Sequence, residues 1–330
     1  MIMLNKDMKN IFTKPKKTLV THDGSFHTDD IFAAAALILY LEKNSKEFSA
    51  QGGPASLWEI IRTRDPEIIQ SADYVFDVGG THDPKLNRFD HHQVGGAGRR
   101  IPSGVEGEVV IEYAAFGLVW KKFGVELSGS EKAARMIDQK LVAPIDAGDN
   151  GFDLSENKYE VSPYMIQHVF GAMRPTWRED AKSEDEMFLK CVEIAKEVLS
   201  REIIQTRDAL SAEESVIAIY KNTSDKRIIL LDKHYPFQYT LCNFPEPLFV
   251  ICPRTDSEGV ETWGVKAVRD DPKTFKNRKN LPKLWAGLRD EELQNVTGVR
   301  DAIFCHRGLF LAVAKSKEGA IKLAQIAVES

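Results

Sequence analysis

The chain has 330 residues, a formal net charge of −5 and a charged fraction of 28%. This length is sufficient for two domains, each with its own hydrophobic core. The negative net charge argues against a protein that coats DNA without sequence preference, because such proteins carry an overall basic field. The four cysteines are far apart and form no C-x-x-C pair. We therefore expect buried thiols in a reducing compartment, with neither disulfides nor a zinc knuckle.

The sequence contains no segment that predicts membrane insertion or secretion. The longest apolar run, Ile31–Leu41, is too short to span a bilayer. The lysine-rich start, residues 1–17, lacks the apolar core and the small-residue cleavage site of a secretory signal. We therefore predict a cytoplasmic enzyme with no membrane partner.

A short apolar strand, Thr18–Thr21, leads into a turn and an apolar helix that together carry His22, His27, Asp29 and Asp30. Open α/β sheets bind their ligands just outside the carboxyl ends of such strands. Closely spaced imidazoles and carboxylates are ligands for hard or borderline divalent metals. A helix cap would explain only one of the carboxylates. The stretch therefore favours a metal site.

Two further motifs follow short apolar strands. The strand 73–78 contains Asp77 near its end and is followed by two glycines, and a second brief strand ends in Asp90-His91-His92. The carboxylate of such a triplet can orient one of the imidazoles. The glycine-rich stretch 93–107 that follows is interpreted either as a loop that closes over a phosphate or as a flexible surface loop.

The fourth motif adds two carboxylates after an apolar stretch. Amphipathic helices are predicted over 112–123, where Gly124 ends the helix, and over 130–142, and Asp146 and Asp149 come next. One metal ion does not need so many His and Asp ligands. The set suits a two-metal site, in which a bridging Asp holds the ions about 3.5–4 Å apart and a shared hydroxide attacks phosphorus.

The second half of the chain has a different pattern. A long helix over 184–210 connects to short predicted strands and a terminal helix, which together indicate an α+β module. The strands are predicted at 216–220, 227–231, 248–252, 263–268 and 309–314, and the terminal helix at 317–328. A basic segment from Lys273 to Lys283, followed by Trp285, suits either a nucleic-acid path or a solvated surface.

The motifs together resemble the DHH phosphoesterase superfamily, which includes RecJ-type exonucleases, oligoribonucleases and manganese-dependent pyrophosphatases. Within it, T-H-D-G-S-F-H-T-D-D, I-R-T-R-D-P, D-V-G-G-T-H-D-P and R-F-D-H-H-Q resemble the melanocyte proliferating gene protein family. Members of that family are regarded as exonucleases that act on RNA from the 3′ end. The similarity continues through I-D-A-G-D-N-G and L-P-K-L-W-A-G-L-R-D-E-E-L, and so covers the chain from Thr18 to its end.

The resemblance implies a set of site residues. The implied metal ligands are His22, His27, Asp29, Asp77 as the bridge, His91, and one carboxylate of the fourth motif, for which Asp149 is preferred to Asp146. Asp77 and His92 are the implied catalytic residues, with His92 directed at the phosphate. The family's late glycine pair is absent here. The remaining candidates for substrate contacts, besides His92, are His306, Arg307 and Lys315.

These inferences lead to one prediction for the whole chain. The fold is α/β, with a mostly parallel DHH catalytic domain over 1–183, a connector helix over 184–212 and a smaller α+β substrate-binding domain over 213–330. Chemistry is expected in the cleft between the two domains. Two Mn²⁺ ions are favoured over Mg²⁺, because imidazole is a poor ligand for magnesium.

The predicted reaction is 3′-to-5′ exonucleolytic hydrolysis of phosphodiester bonds in RNA or short oligonucleotides. Two alternatives remain open at this point: a phosphoanhydride hydrolase of the manganese pyrophosphatase type, and a non-catalytic nucleotide-binding protein. The sequence also leaves open whether the chain forms a homo-oligomer.

Overall fold

A computed structural model describes residues 16–45, 57–100, 110–156, 159–180, 183–255, 258–272 and 274–330. The second half of the glycine-rich loop and Lys273 lie outside the described residues. The chain divides into two compact units, Met1–Thr206 and Arg207–Ser330. Both units are mixed α/β structures, and each contains a five-stranded sheet.

The first unit is organised around a mostly parallel sheet. Its strands are β1 (Lys17–Thr21), β2 (Trp58–Arg62), β3 (Tyr74–Phe76), β4 (His82–Asp83) and β5 (Arg88–Phe89). The strand order is β2-β1-β3-β5-β4, and only β4 is antiparallel to its neighbour. The carboxyl ends of β1, β3 and β5 therefore lie at one edge of the sheet.

The central helix of the first unit is α1 (Thr28–Asn44). The other helices are α2 (Pro66–Ser71), α3 (Ala115–Ser128), α4 (Glu131–Ile137), α5 (Ala143–Asp149), α6 (Ile166–Gly171) and the first part of α7 (Ser183–Asn222). Every residue from Ile31 to Ile38 is fully buried. A helix that is apolar on all sides belongs in a core, and α1 packs there against α3, with Phe32 and Phe116 rings 5.2 Å apart.

A short π-helical turn, Asp138–Val142, joins α4 to α5. The Ala143 N–H donates to the Asp138 carbonyl, and Pro144 in the first turn of α5 has no N–H to donate. The missing donor explains why the helical hydrogen-bond pattern shifts here. The predicted helix over 130–142 is thus interrupted at Asp138, and the chain remains helical as far as Asp149.

The second unit contains a mixed sheet. Its strands are β6 (Ile228–Leu230), β7 (Phe249–Thr255), β8 (Glu261–Ala267), β9 (Ala302–Cys305) and β10 (Leu311–Ala314), in the order β6-β7-β8-β10-β9. Only β6 and β7 are parallel. The last part of α7, a 3₁₀ helix (Lys283–Trp285) and three further helices complete the described part of the unit: α8 (Gln238–Leu241), α9 (Asp290–Thr297) and α10 (Lys317–Glu329). Leu323, Ala324 and Ala327 of α10 bury one face of the sheet.

Two secondary-structure predictions for the second half are wrong. Residues 216–220, predicted as a strand, belong to α7, where Val216 and Tyr220 pack against the sheet. Their spacing of four residues is a helical period, and a short apolar run does not distinguish a strand from a buried helix. Leu309 and Phe310, predicted to begin a strand, lie in the turn before β10, and the sequence analysis missed β9.

The predicted stop of α3 at Gly124 is also wrong. The helix continues through Gly124 and ends at Gly129, whose φ of 86° is left-handed. A Cβ atom at Gly124 would lie 2.7 Å from the Trp120 ring. The absence of a side chain at Gly124 therefore makes room for Trp120. Among the described residues, no helix is both long enough and apolar enough to cross a membrane.

Candidate metal centre

The side chains of the four motifs lie together at the carboxyl edge of the first sheet. They extend from the ends of strands and helices: His22 after β1, Asp77 after β3, His91 and His92 after β5, His27 and Asp29 at the start of α1, and Asp149 at the end of α5. Parallel strands bring their carboxyl ends to one edge, which explains how distant motifs meet.

His22 lies between two buried carboxylates. Its Nε2 atom is 3.3 Å from Asp30 Oδ2 and 3.3 Å from Asp77 Oδ2. Its Nδ1 atom lies 2.9 Å from the Asp23 carbonyl, which can only accept a hydrogen bond, so Nδ1 donates. This fixes the ring orientation and directs Nε2 at the carboxylates.

Asp77 is the residue that connects the two halves of the cluster. Its Oδ2 faces His22, and its Oδ1 lies 3.2 Å from His91 Nε2. Its backbone has a φ of 56°, and its N–H donates to the Phe89 carbonyl at 3.2 Å. A left-handed backbone is uncommon for residues other than glycine, and such conformations concentrate at functional sites.

His91 completes the other half of the cluster. Its Nε2 atom lies 3.2 Å from Asp149 Oδ2, and Asp149 Oδ1 lies 3.9 Å from His27 Nδ1. Asp29 is fully buried, and its two oxygens accept the N–H groups of Ala115 and Phe116 at 2.8 Å. Asp29 therefore anchors the N-terminus of α3. Each of its oxygens still has a lone pair for a second partner.

The cluster contains three overlapping groups of ligand atoms. Within each group these atoms lie no more than 4.8 Å apart, and the groups are His22, His27 and Asp77; Asp77, His91 and His92; and Asp29, His91 and Asp149. Asp77 and His91 each belong to two groups. Because the groups share these residues, the cluster suits more than one bound ion. Oxygen and imidazole donors in this mixture fit a divalent transition metal.

Buried polar atoms without hydrogen bonds provide an independent indication of a missing partner. Asp30 Oδ2, Asp77 Oδ1 and His91 Nε2 are buried and lack a hydrogen bond of acceptable geometry. Such atoms are rare and costly in folded proteins, unless an ion or water completes them. The residues of the cluster therefore fit a bound cation.

The charges of the cluster are strongly coupled. Burial lowers the pKa of His22 and of His91, but neighbouring carboxylates outweigh burial and raise these pKa values to about 10 and about 11. Burial acts to raise the pKa of Asp77, yet the two neighbouring histidines bring it well below its usual range. Burial and nearby carboxylates raise the pKa of Asp29. Without a metal, the protons on the two imidazoles balance the negative charge of the carboxylates.

A family model described as MYG1 exonuclease, uncharacterised protein family UPF0160, matches residues 18–328. The chain belongs to this family. A MYG1 exonuclease from Mus musculus is 30% identical over 344 residues, which cover 96% of this chain and 85% of the mouse protein. A MYG1 protein from Schizosaccharomyces pombe is 27% identical over 340 residues, which cover 94% of this chain and 97% of the relative.

A bacterial relative is equally similar. A MYG1 protein from Chlamydia trachomatis is 29% identical over 314 residues, covering 92% of this chain and 93% of the relative. No solved structure matches the chain significantly. The resemblance to the melanocyte proliferating gene protein (MYG1) family, predicted from the sequence, is therefore confirmed. Several of the relatives, including the mouse and human proteins, carry the name MYG1 exonuclease.

In this MYG1-family chain, Asp90 holds the two histidines that follow it. Its Oδ1 accepts the backbone N–H groups of His91 at 2.7 Å and His92 at 3.2 Å, and lies 2.8 Å from His92 Nδ1. The side chain of Asp90 is buried, whereas that of His92 is 62% exposed. His92 is therefore fixed at its base and open to solvent at the edge of the cluster.

Asp146 lies outside the three ligand groups. Its Oδ2 is 2.7 Å from Arg100 Nη2, and its Oδ1 accepts the Gly117 N–H at 3.0 Å. Arg100 also donates to both oxygens of Asp138. Asp146 thus ties the glycine-rich loop after the D-H-H triplet to the helices, while Asp149 is directed at His91.

Two further residues support the site, Asp30 and Arg62. Asp30 was named in the sequence without a choice between a helix cap and a metal ligand, and it accepts the His27 backbone N–H and faces His22. The signal was available, because three-residue spacing at a helix start is typical of a capping box. Arg62 donates to the Gly24 carbonyl and pairs with Asp185 at 2.6 Å. Arg62 lies in the I-R-T-R-D-P motif, but the motif alone does not indicate its role, since its partners are distant in sequence.

The predicted substrate contacts of the second unit are divided by the β9–β10 hairpin. His306 and Arg307 lie in the turn, where His306 Nδ1 accepts the Gly308 N–H at 2.9 Å. Lys315 follows β10 at the other end of the hairpin, and its N–H donates to the Asp301 carbonyl. The hairpin therefore places Lys315 away from the other two residues.

The segment from Lys273 to Lys283 was left open between a nucleic-acid path and a solvated surface, and Arg278, Lys279 and the following Trp285 fit neither alternative. Arg278 donates to the carbonyls of Phe244 at 2.7 Å and Pro247 at 2.9 Å. Lys279 donates to the Val328 carbonyl at 2.7 Å. Trp285 is only 2% exposed and belongs to the core. These side chains stabilise the second unit and are not available to a ligand.

Proposed function

We propose that this chain is a metal-dependent phosphodiesterase of the DHH superfamily that removes nucleotides from the 3′ end of RNA or short oligonucleotides. The observation that carries the proposal is the position of Asp77, whose two oxygens face two different histidines and which belongs to two groups of ligand atoms. A carboxylate in that position suits a bridge between two ions.

The proposed cofactor is a pair of Mn²⁺ ions. His22, His27, Asp29, Asp77, His91 and Asp149 would hold them. The mixture of imidazoles and carboxylates favours Mn²⁺ over Mg²⁺. When bound, a metal pair supplies a nucleophile at neutral pH and neutralises charge on the phosphoryl oxygens.

The protein's own residues orient this site and contact the substrate. Asp77 and Asp30 hold the His22 ring, and Asp90 holds His92. The exposed His92 imidazole is proposed to contact a phosphate oxygen, where negative charge increases during the reaction. The second unit is proposed to bind the rest of the substrate. The RNA preference and the 3′ polarity rest on the family resemblance.

The experiment compares metals and substrates on one preparation. Protein stripped with EDTA is supplied with Mn²⁺ or Mg²⁺ and offered RNA labelled at its 5′ end, the matching DNA, and pyrophosphate. We expect a ladder of progressively shorter labelled RNA products with Mn²⁺ and no products in EDTA. Asp77→Asn should be inactive, while Glu131→Gln, an exposed carboxylate on α4, should retain activity. Hydrolysis of pyrophosphate without cleavage of RNA would overturn the proposal.

A further inference from the structure

One face of the second sheet carries basic side chains beside aromatic ones. The register pairs Cys252 with Gly264, Gly264 with Val313, and Val313 with Phe304. Paired residues point to the same face, and so do residues two positions apart on a strand. Arg254 is two positions from Cys252 on β7, and Lys266 is two positions from Gly264 on β8. Both therefore share this face with Phe304.

This face is more open than the opposite one. The opposite face is buried by α10. On this face, Val216 and Tyr220 of α7 pack with Val250 and Cys252 of β7, whereas Lys266, Leu311 and Phe304 remain half-buried. Phe310, in the turn before β10, is 43% exposed, and its ring lies 4.2 Å from His306. The open face is therefore the region over β8, β10 and β9.

The basic groups on this face lie close together, and no described carboxylate pairs with them. Lys266 Nζ donates to His234 Nε2 at 2.7 Å, and Arg254 is a charged neighbour of both. Burial lowers the pKa of Lys266 and of His234, and the nearby positive charges lower both further. Among the described residues, no carboxylate pairs with Arg254 or Lys266. Clustered cations without counter-charges are suited to bind an anion.

Gly264 determines how Arg254 lies on the sheet. A Cβ atom at Gly264 would be 2.7 Å from Arg254 Cδ and 3.5 Å from Leu311 Cδ1. The missing side chain lets Arg254 lie across β8 towards β10. The Arg254 side chain therefore lies over Gly264, on the sheet face that also carries Phe304.

The aromatic residues form a row along the edge of this face. The Phe304 and His306 rings are 6.2 Å apart, and His306 in turn contacts Phe310. Arg289 stacks on Phe304, with its guanidinium carbon 4.5 Å from the ring centre. Aromatic rings and guanidinium planes are the surfaces on which unpaired bases stack.

We propose that this sheet face binds single-stranded nucleic acid, with Arg254 and Lys266 contacting phosphates and Phe310 stacking on a base. The proposal deepens the proposed function, because it identifies the surface that holds the substrate strand. A polyanion with exposed bases matches the face in both charge and shape. A duplex does not, since its bases are stacked inside.

The test measures oligonucleotide binding with the full chain. The probe is a fluorescein-labelled single-stranded RNA, and anisotropy is recorded over a range of salt concentrations in EDTA, which prevents metal-dependent cleavage. The variants are Arg254→Gln with Lys266→Gln, and separately Phe310→Ala, whose side chain is exposed. The matched control is Arg227→Ala, which also removes a positive charge from the second unit, but one already paired with Asp225 and Glu329.

We expect the double variant to bind more weakly and to flatten the slope of log K against log salt by about 1.4, since each lost contact contributes about 0.7. Phe310→Ala should weaken binding on the order of tenfold without changing the slope, because stacking involves no counterion release. Arg227→Ala should bind like the wild type. An unchanged slope in the double variant, an equal change in the control, or tighter binding of a matching duplex would overturn the proposal.

Failure of this proposal is distinguishable from failure of the proposed function. Hydrolysis of bis-p-nitrophenyl phosphate with Mn²⁺ depends on the metal centre and needs no strand-binding surface. The double variant should therefore retain this activity at wild-type level. If the wild type hydrolyses the small diester while the double variant binds RNA normally, only the surface is refuted. If the wild type hydrolyses no substrate, the binding measurements still decide whether the surface exists.

Discussion

At the scale of single residues, the candidate centre assigns different tasks to chemically identical carboxylates. Asp77 faces two imidazoles, Asp90 orients His92, and Asp29 anchors a helix. Asp149 and Asp146 are only three positions apart, yet one faces His91 and the other Arg100. The role of each carboxylate therefore depends on its partner rather than on its position in a motif.

The contrast between Asp149 and Asp146 gives the first prediction. Asp149→Asn should weaken Mn²⁺ binding and hydrolysis and should cost less stability than Asp146→Asn, because Asp77 still faces His91 after the change. Asp146→Asn should destabilise the protein by up to about 3 kcal/mol, because it removes a buried partner of Arg100. Metal titration and urea unfolding of both variants provide the measurement. Loss of metal binding at wild-type stability in Asp146→Asn, with Asp149→Asn unaffected, would refute these assignments.

The raised pKa values of the histidines give the second prediction. In metal-free protein, His22 and His91 hold protons at neutral pH, because their pKa values are about 10 and about 11. Metals bind neutral imidazole, so binding must release these protons and must weaken as the pH falls. We expect the apparent Kd for Mn²⁺ to rise by up to tenfold per proton released for each pH unit lowered.

The measurement is calorimetric titration with Mn²⁺ between about pH 6 and pH 8. Repeating it in buffers of different ionisation enthalpy counts the protons released. A Kd that does not change with pH, together with no proton release, would exclude the two histidines as ligands.

At the scale of elements, the sequence predicts the residues at the strand ends well and the contacts between distant segments poorly. His22, Asp77 and His91 each follow a short apolar strand, a pattern visible in the sequence, and the sheet brings them together. The pairing of Arg100 with Asp146 joins distant segments and has no local signature. Gly124 was interpreted as a helix stop, because its packing against Trp120 is visible only in three dimensions.

Gly117 of α3 gives a prediction at this scale. A Cβ atom there would lie 1.8 Å from Asp146 Oδ2, so Gly117→Ala must displace Asp146 from Arg100. We expect a loss of about 1–3 kcal/mol in the free energy of unfolding, which is typical of overpacking. The control is Gly171→Ala in α6, where a Cβ atom meets no neighbour within 4 Å.

Chemical unfolding of the two glycine variants measures the difference. Gly171→Ala should leave the stability near that of the wild type. Equal stability of the two variants would mean that the space around Gly117 adapts. The ion pair would then not constrain α3.

At the scale of the whole molecule, two compact units present two kinds of surface. The first carries a buried cluster of imidazoles and carboxylates, and the second carries an open sheet face with basic and aromatic side chains. The α/β organisation of the first half follows from strand-and-helix alternation in the sequence. The open face could not be predicted in this way, because β9 was missed and the register of β7, β8 and β10 determines which residues share it.

Mn²⁺ titration of metal-free protein tests whether Asp77 joins two metal sites. We expect two bound ions per chain in the wild type and in Glu131→Gln. In Asp77→Asn, affinity should fall by more than the roughly 10–100-fold typical of residues that only orient ligands. Binding of two ions to Asp77→Asn with wild-type affinity would contradict the account.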